Sequence, residues 1–195
     1  MFKLRCLYML FGLLAMTVVE AADPSSPPSS GGVTLYNVGE PLKPEQLASI
    51  DISVLPTGVG LPDGKGTARE GAKVYATHCS VCHGENGEGR GDYVALVGGR
   101  GTLSSNQPVL TVGSYWPTAT TLFDYIRRAM PYNTPGVLTT DEIYAVSAWI
   151  LERNEILKPG IVLDRRSLSA VRMPNRDGFV RDPRPDVTSP SAQRE

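Results

Sequence analysis

Two stretches of the chain carry apolar residues at helical spacing, and both open on the same device. Thr67-Ala68-Arg69-Glu70 and Thr139-Thr140-Asp141-Glu142 each place a threonine three residues before a glutamate, so hydroxyl and carboxylate can satisfy the free amides of a first helical turn. After the first, Gly71, Val74 and Tyr75 lead toward Cys79. After the second, Ile143, Val146, Trp149 and Ile150 recur on one face up to about Arg153, with Leu138 and Ile143 as a hydrophobic staple. Glycine inside a helix costs about 1 kcal/mol relative to alanine. Gly71 therefore predicts that the second helix crosses the first closely, near Gly71 and Tyr75, with Trp149 covering the contact as core. A third helix starts near Pro117 and the threonines after it, presents Leu122, Ile126 and Ala129 on one face, and ends at Pro131.

Elsewhere the pattern changes. Lys3 and Arg5 precede an apolar run from Leu7 to Val19 and a small-residue site at Val19-Glu20-Ala21, so residues 1–21 read as an export signal cut after Ala21 or Ala22. The run is too short to span a bilayer comfortably, which leaves no membrane span after cleavage; an uncleaved anchor is the alternative. Residues 22–66 read as a linker, low in complexity from Asp23 to Gly32, followed by an extended arm. Its Pro41, Pro44, Pro56 and Pro62 forbid a long helix and leave one turn at Pro44-Glu45-Gln46-Leu47-Ala48. Residues 154–195 read as a second extended arm, with Ile161, Val162, Leu163, Leu168, Val171, Met173 and Phe179 set among arginines and prolines. Each arm suits a wrap over its own domain and a wrap over a partner equally. The domain between them, 67–153, is all-α.

Charge changes the picture only by exclusion. The 195 residues hold 19 Lys and Arg against 20 Asp and Glu, and no basic face is large enough for nucleic acid. With 20 glycines and 16 prolines, much of the backbone is expected in turns and extended strings.

The chemistry lies in Cys79-Ser80-Val81-Cys82-His83, a C-x-x-C-H run that reads as the attachment site of one covalent c-type haem. On a helix, Cys79, Cys82 and His83 share a face: the two thiols add across the haem vinyl groups and the imidazole ligates the iron. A thioredoxin-like pair would need a strand-to-helix turn in a βαβ context, which is missing, and a zinc site would need more ligands than His78 supplies. Cys6 falls within the signal, so Cys79 and Cys82 remain and no structural disulfide is expected. Export agrees with the haem, because covalent attachment in bacteria takes place outside the cytoplasmic membrane; the location expected is periplasmic.

His83 alone leaves one iron face open, whereas a methionine sulfur closes it and raises the reduction potential. After signal removal the candidates are Met130, which ends a helix and is braced by Pro131, and Met173, which lies in the tail; Met130 is the ligand chosen. Glycines 84, 87, 89 and 91, and then 98, 99 and 101, are expected to let backbone approach a bulky ligand. A carbonyl near Val94 or Ala95 is expected to accept the second ring proton of His83. Arg100 and the Trp116 indole suit the haem propionates, and equally suit ordinary surface and core duty. Two functions follow: a one-electron carrier without bond chemistry of its own, or a haem enzyme such as a peroxidase or a thiosulfate-oxidising cytochrome with an open or switchable distal site.

The order of helix, C-x-x-C-H, glycine loop, Met130-Pro131 and closing helix resembles class I cytochromes c over about Thr67 to Arg153. More specific resemblance lies in Tyr36-Asn37-Val38-Gly39, Asp51-Ile52, Gly60-Leu61-Pro62, Tyr115-Trp116-Pro117, Asp124 to Pro131 and Met173 to Phe179. These look like the cytochrome subunit of sulfur dehydrogenase (SoxD type) and related sulfite dehydrogenase cytochromes. The resemblance implies a class I cytochrome c fold with largely irregular arms and a molybdopterin-containing catalytic subunit as electron donor. It also implies a soluble cytochrome c as acceptor. The chain departs from two-haem members in having one C-x-x-C-H, and from the usual pattern in lacking a proline between Tyr93 and Leu96.

Overall fold

The computed structural model describes residues 39–180, 182 and 184. The expected export signal and linker, Tyr36-Asn37-Val38 and the end of the tail lie outside the described residues. The described residues from Lys43 onward belong to one compact unit.

Both capping boxes form. Thr67 caps α2 (Ala68–His78) and Thr139 caps α5 (Thr140–Arg153), each hydroxyl accepting from the amide of the glutamate three residues on. Each glutamate returns the favour, Glu70 Oε2 accepting from Thr67 N–H at 2.9 Å and Glu142 Oε2 from Thr139 N–H at 2.8 Å. Both carboxyls are held below the usual range by the threonines, Glu70 first by the Thr67 hydroxyl and then by its amide, Glu142 first by the Thr139 amide and then by its hydroxyl. The two helices cross where glycine permits it: a Cβ on Gly71 would stand 1.9 Å from Ala145 O, and the Tyr75 ring stacks on Trp149 with centroids 3.8 Å apart. The third helix, α4 (Ala119–Ala129), ends at Met130 and packs on α5, where Phe123 meets Tyr144 at 4.6 Å. The architecture is helix-dominated, as the resemblance implied, with a short helix α1 (Pro44–Ile50) before it.

The arms resolve onto their own domain. β1 (Lys65–Thr67) from the N-terminal arm pairs antiparallel with β2 (Val162–Asp164) from the C-terminal arm, Gly66 opposite Leu163. This ribbon lies flat on α5, because a Cβ on Gly66 would stand 2.3 Å from Ala145 N. After β2 a short helix α6 (Arg165–Ser169) follows. Val54 and Leu61 from one arm and Leu163, Leu168 and Met173 from the other enter the same core cluster as α2, α4 and α5. The tail adds to one core; it has too few apolar residues to build another.

Polar groups of α4 fix the N-terminal arm. Val54 N–H donates to Asp124 Oδ1 at 2.8 Å, Arg127 Nη1 donates to Ile52 O at 2.9 Å, and the Thr120 hydroxyl donates to Pro56 O at 3.1 Å. Burial alone would raise the Asp124 carboxyl, but the paired Arg128 guanidinium, the Val54 amide and Arg127 outweigh it and hold it below the usual range. Because the folded value is depressed, this contribution to stability is present above the unfolded pKa and is lost as pH falls through the folded one. Asp124→Asn is therefore expected to cost about 1–3 kcal/mol at pH 7. The gap to the parent protein should narrow below about pH 4, measured as urea midpoints at both pH values.

Candidate functional site

The C-x-x-C-H run does not continue the α2 helix. The helix breaks at Cys79, whose φ of −123° and ψ of −37° serve as C-cap of α2 and N-cap of the single turn α3 (Ser80–His83). Within that turn Cys82 N–H and His83 N–H both donate to Cys79 O, at 3.2 and 2.9 Å. The one-face arrangement expected of a helix is thus supplied by a separate turn hinged at the first cysteine.

His83 Nδ1 lies 2.9 Å from Val94 O, one of the two carbonyls expected for it, and no proline is needed to present it. A carbonyl only accepts, so Nδ1 carries the proton and the Nε2 lone pair is left free for a metal. The carbonyl is held in place by its neighbours: Leu96 N–H and Val97 N–H both donate to Gly87 O, at 2.8 and 2.9 Å, and Gly89 N–H donates to His83 O at 2.8 Å. From the other side the Tyr75 hydroxyl, buried in the α2/α5 contact, donates to Gly84 O at 2.8 Å. The helix crossing and the histidine loop are in this way one connected unit.

The glycines of the two loops have close neighbours within the chain at some positions and open space at others. Their close neighbours are parts of the chain itself: a Cβ on Gly87 would stand 2.5 Å from the Val97 side chain, one on Gly89 2.8 Å from Tyr93 O, and one on Gly99 2.3 Å from Val109 O. Gly91, Gly98 and Gly101 have nothing within 4 Å. Crowding by the chain itself thus accounts for Gly87, Gly89 and Gly99, while Gly91, Gly98 and Gly101 share with them a positive φ that favours glycine.

Cys79 and Cys82 are free thiols, both half-buried. Burial, with Cys82 nearby, pushes the Cys79 thiol up to about 11. That is opposite to the lowered value a disulfide-exchange nucleophile needs, and it weighs against a thioredoxin-like role. Cys79, Leu96, Trp116 and Met130 are partly buried apolar groups at the margin of the core, while Val94, Val109 and Leu110 are exposed. Two free thiols, an imidazole with a free nitrogen and an apolar margin fit a flat macrocycle tethered at two points.

Met130 caps α4 in extended conformation, its N–H bonded to Ile126 O at 3.1 Å. Met173, by contrast, is 3% exposed and serves as core. Trp116 packs edge-on against Tyr125 at 5.8 Å, and its indole N–H has no hydrogen-bond partner among the described residues. Arg100 is exposed, without an ion pair among the described residues, and lines a cleft of about 220 Å³ with Ser114, Pro174 and Asn175. No hydrogen bond, ion pair or ring contact joins Arg100 to Trp116 or to α3 among the described residues. A second cleft, of about 390 Å³ between β1, α2 and α5, contains none of the expected haem residues; its Glu70 and Glu142 are spent on the helix caps.

Two features escaped the sequence reading. Asn154, the C-cap of α5, is buried and bonds three backbone groups. Thr111 and Ser114 form a buried knot, the Thr111 hydroxyl donating to Gly98 O at 2.6 Å and the Ser114 hydroxyl to Val109 O at 2.6 Å. Position alone offered a clue only for Asn154, which directly follows the last periodic helical residue.

The family description Cytochrome c matches residues 68–154. A search of curated proteins found no match. Among solved structures, the sulfane dehydrogenase SoxCD from Paracoccus pantotrophus contains a chain 36% identical to this one. The likeness covers 82% of this chain and 79% of that one at a TM-score of 0.73. Thiosulfate dehydrogenase (TsdBA) from Marichromatium purpuratum contains a chain 28% identical over 44% of this chain and 17% of that one, at a TM-score of 0.34. With a covalent haem c implied by the domain and the arms matched as well as the core, the chain belongs to the cytochrome c family and is similar to the cytochrome subunit of SoxCD.

Proposed function

We propose that this cytochrome c is a periplasmic monohaem electron carrier. In this reading it is the electron-accepting subunit of a molybdenum-containing sulfur or sulfite dehydrogenase and passes electrons on to a soluble cytochrome c. The observation that carries the reading is the reach of the SoxCD likeness, which covers 82% of the chain and so extends well beyond the haem domain. The arm motifs that set this subunit apart are structurally active here. Leu61 is core, Pro62 O accepts from the Tyr144 hydroxyl at 2.9 Å, Asn175 Nδ2 donates to Tyr115 O at 2.7 Å, and Phe179 meets Tyr115 edge-on at 5.2 Å.

Bound through Cys79 and Cys82, the haem supplies a one-electron couple at its iron. The chain's own groups set the terms of that couple. His83, with its proton directed at Val94 O, presents Nε2 to the iron, and Met130 presents a soft sulfur that favours the reduced state. Arg100 and the Trp116 N–H, both without partners among the described residues, are the donors for the propionates. Periplasmic location accords with the export signal expected at residues 1–21, and no helix among the described residues is long and apolar enough to cross a membrane.

The purified protein is expected to carry one haem per chain. Its oxidised form should be low-spin with a weak long-wavelength sulfur-to-iron band, and it should co-purify with a molybdenum-containing subunit when the two are expressed together. High-spin iron that rapidly takes up cyanide or carbon monoxide would overturn the carrier in favour of a haem enzyme.

A further inference from the structure

We infer that Asn154 is a positioning residue for the proximal histidine, acting through the loop that carries Val94; the inference rests on His83 being the axial ligand. The Asn154 side chain is 8% exposed and uses its amide on both sides. Its Nδ2 donates to Leu96 O at 3.0 Å and to Ile150 O at 2.9 Å, and its Oδ1 accepts from Gly98 N–H at 3.0 Å. One planar group thus joins the end of α5 to two points of the 94–98 segment. That segment has few other anchors: Leu96 and Val97 bond back to Gly87, and Gly98 O accepts from the Thr111 hydroxyl.

The rest of the pocket is shaped around this amide. A Cβ on Gly113 would stand 2.0 Å from Asn154 Oδ1, so only glycine at 113 leaves the amide room. Val94 itself is exposed, and its side chain does nothing to fix the carbonyl that His83 uses. Its position is set from both sides, by the Arg90–Tyr93 bridge before it, with N–H···O bonds of 3.2 and 3.0 Å, and by what holds residues 96 to 98 after it. Rigid outer partners of a ligating histidine fix ring orientation and tune ligand basicity. Asn154 performs that service one step further out, where it couples the closing helix to the iron ligand.

The test is solvent exchange of the His83 Nδ1 proton, followed by NMR in the reduced, haem-loaded protein. In the parent protein that proton must appear among the haem-shifted signals; its absence there would overturn the ligand assignment on which the inference rests, and leaves the loop contacts untouched. Three variants are compared: Asn154→Asp, which keeps the shape but loses both N–H donors, Gly113→Ala, which displaces the amide without altering it, and Leu163→Ala, a core change in β2 as control. Exchange is expected to quicken about tenfold or more in Asn154→Asp and Gly113→Ala, as loss of a buried hydrogen-bond pair would give. In Leu163→Ala it should change only as far as global stability does. If Asn154→Asp fails to retain haem, Gly113→Ala carries the test. Exchange unchanged in the variants, or following global stability alike in all three, would overturn the inference.

Discussion

Met130→Ala abolishes the sulfur-to-iron band, turns the iron high-spin and lets cyanide or carbon monoxide bind quickly, whereas Met173→Ala leaves all three properties as they were. This is the expected result, and it follows from where the two sulfurs stand. Met130 ends α4 and is only partly buried against the core cluster, as Cys79, Leu96 and Trp116 are. Met173 is 3% exposed inside the core cluster, with no free face to offer a metal. Removing an axial thioether withdraws the ligand that stabilises the reduced iron, so the potential should fall by a sizeable part of the roughly 0.8 V that axial ligation spans. Met173→Ala instead leaves a cavity and is expected to cost about 2–5 kcal/mol of stability. The two variants therefore separate cleanly: one changes the spectrum, the other the unfolding midpoint. A band that survives in Met130→Ala and vanishes in Met173→Ala would reverse the ligand assignment.

The elements legible in the sequence are those whose signals are local. Thr67 and Glu70, and Thr139 and Glu142, are each three residues apart, and a capping box needs nothing else to be read. Gly71 announced the helix crossing because an unhelpful residue in a helix interior requires a packing reason. The C-x-x-C-H run carries the cytochrome c signature within five residues.

What stayed hidden depends on partners distant in the chain. Gly66 and Leu163 pair across almost a hundred positions, and neither three-residue strand has a periodic pattern of its own. Asp124 and Arg127 entered the sequence reading only within the Asp124 to Pro131 motif; their role as clamps for Val54 N–H and Ile52 O appears only once the arm is laid beside them. The glycine loops were read for the approach of a ligand, and the neighbours that crowd Gly89 and Gly99, Tyr93 O and Val109 O, could not be read from residue type. Asn154 looked like the end of a helix because the three backbone groups it bonds leave no trace in residue type.

Gly71→Ala tests the crossing on which this connectivity rests, and its expected sign runs against helix propensity. Judged as an isolated helix, α2 should gain about 1 kcal/mol from alanine. In the folded chain the new methyl would stand 1.9 Å from Ala145 O, 2.4 Å from Ala145 C and 2.9 Å from Trp149 Cβ. Two of these are backbone atoms of α5 and cannot rotate aside, so the helices must separate. Overpacking of this kind costs about 1–3 kcal/mol and occasionally more. Here the separation also pulls apart the Tyr75–Trp149 stack, worth about 0.5–1.5 kcal/mol. A net loss of about 2 kcal/mol is expected once the propensity gain is set against these costs, read as a urea midpoint together with the near-ultraviolet dichroism of Trp149. Ala72 is exposed on the same helix, and Ala72→Gly should cost only the propensity term of about 1 kcal/mol with the Trp149 signal intact. A Gly71→Ala protein more stable than the parent would mean that α2 and α5 do not meet at this distance.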